Sequence, residues 1–180
     1  MEKQRIVAAA YLLILFVAFI DNLLYIAAPV LAYYGFENAN AIIFSFFESG
    51  CHQLPERSFF LFGKPLTLCA RCTGIHLGFL GAVLLYPLAR KIGKNKFPPI
   101  WLFPVALVPI GLDGLTQFIG LRESANILRL LTGSLFGATL AFFIVPLFIE
   151  AVVFIWPLFG ELSKDLKRRK PNIYKKFRRL

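Results

Sequence analysis

Every residue in this chain that combines soft-metal affinity with nucleophilic or proton-transfer chemistry falls in one stretch. All three cysteines lie between Cys51 and Cys72, and the two histidines, His52 and His76, lie within or just beyond that interval. Cys69 and Cys72 form a Cys-x-x-Cys pair, a spacing that lets two thiolates hold one tetrahedral ion. Cys51 and His52 can return to that pair after the intervening loop. If the chain is helical from Cys69 onward, His76 stands i+4 from Cys72 and i+7 from Cys69, on one face. The expectation is a zinc-type site with ligands Cys51, Cys69, Cys72 and one of His52 or His76. A Cys₃His set is a closed arrangement of the structural kind, whereas catalytic zinc keeps one position open. The same residues suit two other chemistries. One is a disulfide from Cys51 to Cys69 or Cys72, with one cysteine left over. The other is thiol–disulfide exchange at Cys69 and Cys72, where neighbouring Arg71 favours thiolate.

A second polar group stands apart in sequence. Asp113 and Gln117 are four residues apart on one helical face, and Arg122, Asn126 and Arg129 follow at i, i+4 and i+7. Asp113 with Arg129 is the natural neutralising pair. In a functional reading the carboxylate is a metal ligand or general base, with Gln117 beside it as the second catalytic candidate. Arg122 and Arg129, joined by Arg57 and Arg71, would hold an anion such as phosphate. In the plainer reading these residues fasten helices together and cap a loop. Thr132, Gly133 and Gly137 are small residues that allow helices to approach closely. Asp21 and Asn22 are either a further contribution or an interface cap.

The elements that must position these groups are membrane-spanning helices. The chain has 180 residues, 58 % of them apolar and only 17 % charged, with 20 phenylalanines. Soluble chains carry about 25 % charged residues, so disorder, a disulfide-stapled secreted mini-protein and a water-soluble enzyme are excluded. The net charge of +10 invites a nucleic-acid reading, but the basic residues bracket long uncharged stretches instead of mixing with polar contacts. No nucleic-acid partner is expected. A span needs about 20 apolar residues, and four stretches qualify: 6–29, 68–89, 98–118 and 127–149. The apolar stretch 151–159 is too short to span alone and either extends the fourth helix or lies in the interface. Lys3 and Arg5, the group Arg90, Lys91, Lys94 and Lys96, and the tail from Lys164 onward flank these spans. The positive-inside rule puts all three in the cytoplasm. The expected fold class is therefore an all-α, polytopic cell-membrane protein of four transmembrane helices with both termini cytoplasmic. Residues 1–163 form the membrane domain, residues 164–180 a basic tail in contact with anionic lipid, and the Cys/His loop between helices 1 and 2 is extracytoplasmic. Both polar groups then lie at the outer face.

The run CHQLPERSFFLFGKPLTLCARCTGIHLG closely resembles the signature of a family of small integral membrane proteins, domain of unknown function 2085. The later DGLTQ and NILRLLTG stretches are similar to that family as well, so the resemblance covers roughly Cys51 to Gly137. It implies that Cys51, His52, Cys69 and Cys72 belong together, and it implies no particular reaction. The functional expectation is a zinc-type site at the outer membrane face, serving a metal-assisted enzyme that acts on an anionic or lipid-linked substrate. The competing expectations are a non-catalytic scaffold or accessory subunit, stabilised by metal or disulfide, and a thiol redox protein using Cys-x-x-Cys. Membrane lipids are the expected surroundings, with self-association or a larger membrane complex left open.

Overall fold

A computed structural model describes the backbone of residues 2–93 and 97–177, and side chains as far as residue 158. The basic side chains from Lys164 onward, and those of Lys94 and Lys96, lie outside the described residues. The chain runs through α1 (Glu2–Tyr33), α2 (Glu37–Glu48), a 3₁₀ turn (Pro55–Arg57), β1 (Ser58–Leu61), β2 (Lys64–Cys69), α3 (Ala70–Ala89), α4 (Leu102–Phe118) and α5 (Asn126–Phe177). The protein is mostly helical. The all-α expectation needs one correction, because the connection between α1 and α3 folds into a short helix and an antiparallel hairpin.

Three helices are long and apolar enough to cross a membrane: α1, α3 and the α5 segment Asn126–Leu158. The fourth expected span, 98–118, is shorter than its apolar stretch. Pro98 and Pro99 do not start the helix; a turn in which Leu102 donates to the Pro99 carbonyl (3.0 Å) precedes it. The resulting 17 residues of α4 rise about 26 Å, against a hydrocarbon core of about 30 Å. The segment 151–159 is part of α5, which continues unbroken through Pro146 and Pro157.

Large apolar side chains line the outside of the helices as well as their core. Many buried positions of the helices are small or polar, as at Ala10, Ala18, Ala28, Ala82, Ala141, Asn22 and Thr73. Leu12, Phe16, Phe19, Leu85, Leu88, Leu131 and Phe154 face outward. Where the surroundings are as apolar as leucine, helices associate by close packing and polar contacts, which selects small residues for the interface. The seam between α3 and α5, which run parallel, shows this most clearly. Gly74 and Gly78 of α3 oppose Gly133 and Gly137 of α5. A methyl group added at any of the four would overlap a backbone carbonyl across the seam: Leu130, Ser134, Arg71 and Ile75, respectively. A cluster built on Tyr11, Ile14, Val83, Tyr86, Val145 and Ile149 then joins α1, α3 and α5.

Two prolines inside these helices are compensated by hydroxyls from neighbouring elements. Pro87 has no N–H for the Val83 carbonyl, and the buried Tyr11 hydroxyl of α1 donates to that carbonyl at 2.7 Å. Pro29 likewise frees the Tyr25 carbonyl, to which Thr67 Oγ1 of β2 donates at 3.4 Å. The second contact fastens the cysteine-bearing hairpin to α1.

Candidate functional site

The hairpin turns tightly through Phe62 and Gly63, both in the left-handed region (φ 52° and 74°), the conformation that matches the right-handed twist of two short strands. The return strand delivers Thr67, Leu68 and Cys69 into the interior, all buried. Cys69 is the last strand residue and also the N-cap of α3, so Cys72 lies within the first helical turn. Cys51 comes from the other side, just after α2, and is buried as well. Two residues later Gln53 adopts φ 49°, unusual for a residue with a side chain. Its amide compensates by donating to the Phe44 carbonyl of α2 at 2.8 Å.

The three sulfurs meet. All lie within 4.8 Å of one another, and all three cysteines are free thiols. The Cys69 backbone N–H, at the positive end of α3, donates to Cys51 Sγ at 3.3 Å. Hydrogen bonds from the Cys69 and Cys72 side chains hold the Cys51 thiol well below its ordinary pKa, and the Cys51 sulfur in turn pushes the Cys69 thiol up. A compact set of sulfurs sharing protons in this way is the donor chemistry of a thiophilic cation such as zinc. Tyr25, Phe47 and Leu68 pack around it.

Neither histidine joins the sulfurs, so the expected Cys₃His set is a Cys₃ set among the described residues. His52 is exposed, and its Nδ1 accepts only the Leu54 N–H at 3.4 Å. His76 does follow Cys72 by one helical turn, but its Nδ1 pairs with the Asp21 carboxylate of α1, and its ring stands edge-on to Tyr25 and Phe47. An apolar-lined cleft of about 430 Å³ runs beside this pair, between α1, α3 and α5. Asn22, buried beside it, donates to the Ala18 carbonyl and to the His76 carbonyl. Asp21 and Asn22 are thus interhelical contacts to α3.

The second polar group adjoins the first through Arg71, which lies between Cys69 and Cys72. Asp113 is 2 % exposed, and its carboxylate receives Arg71 Nη2 at 2.5 Å, Arg122 Nη2 at 3.0 Å and the Ser124 hydroxyl at 2.5 Å. The expected Asp113–Arg129 pair is not made. Arg129 instead donates to Asn126 Oδ1 at 2.5 Å, and Asn126 donates to the Ser58 carbonyl at the start of the hairpin. The physical reason is position: Asp113 sits opposite the start of α3 and the α4–α5 loop, so Arg71 and Arg122 reach it first. Arg129 lies within electrostatic reach of Arg57, Arg71, Asp113 and Cys69, which places thiols and arginines in one neighbourhood. Gln117 is half-buried, and its side chain makes no hydrogen bond among the described residues. Glu56 is exposed. Ser124 was missing from the sequence reading. A lone hydroxyl residue between Arg122 and Asn126 reads as loop capping, and only its depth beside Asp113 gives it a role.

The sequence pattern of the family described as predicted membrane protein (DUF2085) matches residues 51–143. An uncharacterized protein of Methanocaldococcus jannaschii is 41 % identical over 148 residues, which cover 79 % of this chain and 94 % of that one. An uncharacterized protein of Methanothermobacter thermautotrophicus is 40 % identical over 91 residues, 51 % of this chain and 80 % of the relative. No solved structure matches the chain. The matched span begins at Cys51 and takes in the hairpin, the thiols, Asp113 and the arginines from Arg57 to Arg129, so that the site and the family signature coincide: the chain belongs to the DUF2085 family of predicted membrane proteins.

Proposed function

We propose that this is a four-span protein of the cell membrane, with both termini cytoplasmic, whose three thiols hold a zinc-type ion at the outer face. The ion would serve metal-assisted chemistry on an anionic or lipid-linked substrate. One observation carries the reading: Cys51, Cys69 and Cys72, from separate elements, present three sulfurs within 4.8 Å. Three protein ligands leave one of four tetrahedral positions unfilled, the feature that distinguishes catalytic from closed structural zinc. That position is where water or a substrate oxygen would bind. Basic residues at two ends that the reading puts on one side, Lys3 and Arg5 in the first turn of α1 and Arg90 and Lys91 just after α3, support the orientation. The salt bridge from α4 to Arg71 supports α4 as a fourth span packed into the bundle.

Asp113, both of whose oxygens are engaged, favours a second reading for the polar group. Here it fastens α3, α4 and the α4–α5 loop together, and the protein is a metal-stabilised scaffold. Elemental analysis of protein purified without chelators separates the metal from its rivals. The expected result is about one zinc per chain, lost in the double variant Cys69→Ser/Cys72→Ser while the protein remains folded. Metal-free protein with a mapped disulfide, or with a Cys69–Cys72 couple that titrates reversibly with dithiothreitol, would overturn the metal site. Labelling of Cys51 in intact cells by a membrane-impermeant maleimide, after chelation and reduction, tests the orientation; a tail-directed probe reacting first would invert it.

A further inference from the structure

The arginines are too many for their acid. Arg71 and Arg122 share Asp113, while Arg57 and Arg129 have no carboxylate partner among the described residues. Arg129 is 6 % exposed, and the Nε atoms of both Arg129 and Arg71 are buried without a hydrogen-bond partner. A buried guanidinium N–H with nothing to donate to costs more than a typical made hydrogen bond contributes, and an uncompensated buried charge costs more still. Two such N–H groups, on Arg71 and Arg129, together with the half-exposed Arg122 that shares Asp113 with Arg71, describe a group of donors that lacks an acceptor.

Charge counting identifies that acceptor. Four guanidiniums stand against the single carboxylate of Asp113. A divalent ion held by three thiolates carries a net charge of −1, so the neighbourhood retains two positive charges. We infer that it takes a phosphate dianion, as inorganic phosphate or the headgroup of a lipid phosphomonoester. Arg129, Arg57, the half-exposed Arg122 and the free Nε of Arg71 would hold its oxygens. Arginine suits this role because its planar fork matches phosphate oxygens in pairs. Asp113 is then a positioning residue that fixes Arg71 and Arg122, and its engaged oxygens leave it no part as a base. Glu56 and Glu123 are exposed and do not neutralise the buried arginines. The inference rests on the metal reading above for its charge count, though the unpartnered guanidiniums stand without it.

The test uses the full chain, purified in a neutral detergent and loaded with zinc, titrated with inorganic phosphate by calorimetry and ³¹P NMR. Acetate is the singly charged comparison. About one phosphate should bind per chain, and more tightly than acetate. Binding should weaken about tenfold or more in Arg57→Gln and in Arg122→Gln, the loss expected for one charge-assisted contact or its support, with zinc content unchanged. These two variants carry the test because Arg129→Gln would also disturb Asn126 and the hairpin. Nanodiscs containing phosphatidic acid, compared with phosphatidylcholine alone, distinguish the sources. Suppression of phosphate binding by phosphatidic acid identifies the lipid headgroup, and its absence identifies free phosphate. Zinc-loaded protein that ignores phosphate, prefers acetate or binds equally well in both variants overturns the anion site and leaves the metal site standing. Arginine-dependent phosphate binding by protein that never takes up zinc overturns the metal site alone.

Discussion

The glycine seam and the arginine–thiol end are parts of the same helix pair, yet they are held by opposite means. Along the seam, Gly74, Gly78, Gly133 and Gly137 bring backbone against backbone, and there is no room for one further carbon. At the end where α3 and α5 begin, Arg71, Asp113, Arg122, Ser124, Asn126 and Arg129 occupy the space between elements, and each is held by a charged or hydrogen-bonded partner. The seam is therefore sensitive to added volume and the polar end to removed charge. Together they show how a membrane protein can be rigid without a large apolar core. Close contact fixes the axes of α3 and α5, and that fixed separation sets the spacing of the groups at their ends.

The sharpest way to break this comparison is to overfill the seam. Gly137→Leu would drive a side chain into the Ile75 carbonyl, where neither backbone can retreat without separating the helices. Loss of folded protein is the expected outcome, seen as aggregation on detergent size-exclusion chromatography. A monodisperse variant with wild-type melting temperature would show that the seam is loose. Removing charge comes next. Asp113→Ala leaves Arg71 and Arg122 facing each other, a loss of about 3–5 kcal/mol by analogy with other broken buried pairs. Because Arg122 is partly exposed, the lower end applies. Thermal unfolding in detergent measures this, and Asp113→Asn should recover only part, since the amide keeps the Ser124 contact but not the charge. The smallest effect lies within the apolar half. Tyr11→Phe removes one hydroxyl, but Pro87 supplies no N–H in its place, so the Val83 carbonyl is left buried and unsatisfied. About 1–3 kcal/mol is expected from that unmet acceptor. An unchanged melting temperature would mean that another donor reaches the carbonyl.

Much of this molecule was legible before the structure. The spans follow from long, mostly apolar runs, and three of them coincide with helices long enough to cross. The three cysteines converge as Cys-x-x-Cys spacing and a returning loop suggest, because a hairpin with a tight Phe62–Gly63 turn is the shortest route back to the start of α3. The partners of charged residues were not legible. Helical spacing correctly places His76 one turn after Cys72, yet Asp21, from a helix some fifty residues earlier, claims it. The same holds for Asp113, which spacing alone matches with Arg129 and which Arg71 and Arg122 reach first.

The chain alone determined its solvent, its helical architecture and the clustering of its sulfurs. Each of these depends on residue type and local spacing, which a sequence states outright. Tertiary structure decided that two histidines stand aside from the thiols, that one carboxylate serves two arginines, and that two guanidinium nitrogens are left facing no acceptor. Those outcomes depend on how elements distant in sequence are packed together, and a pairing set by the distance between helix axes leaves no mark in local sequence.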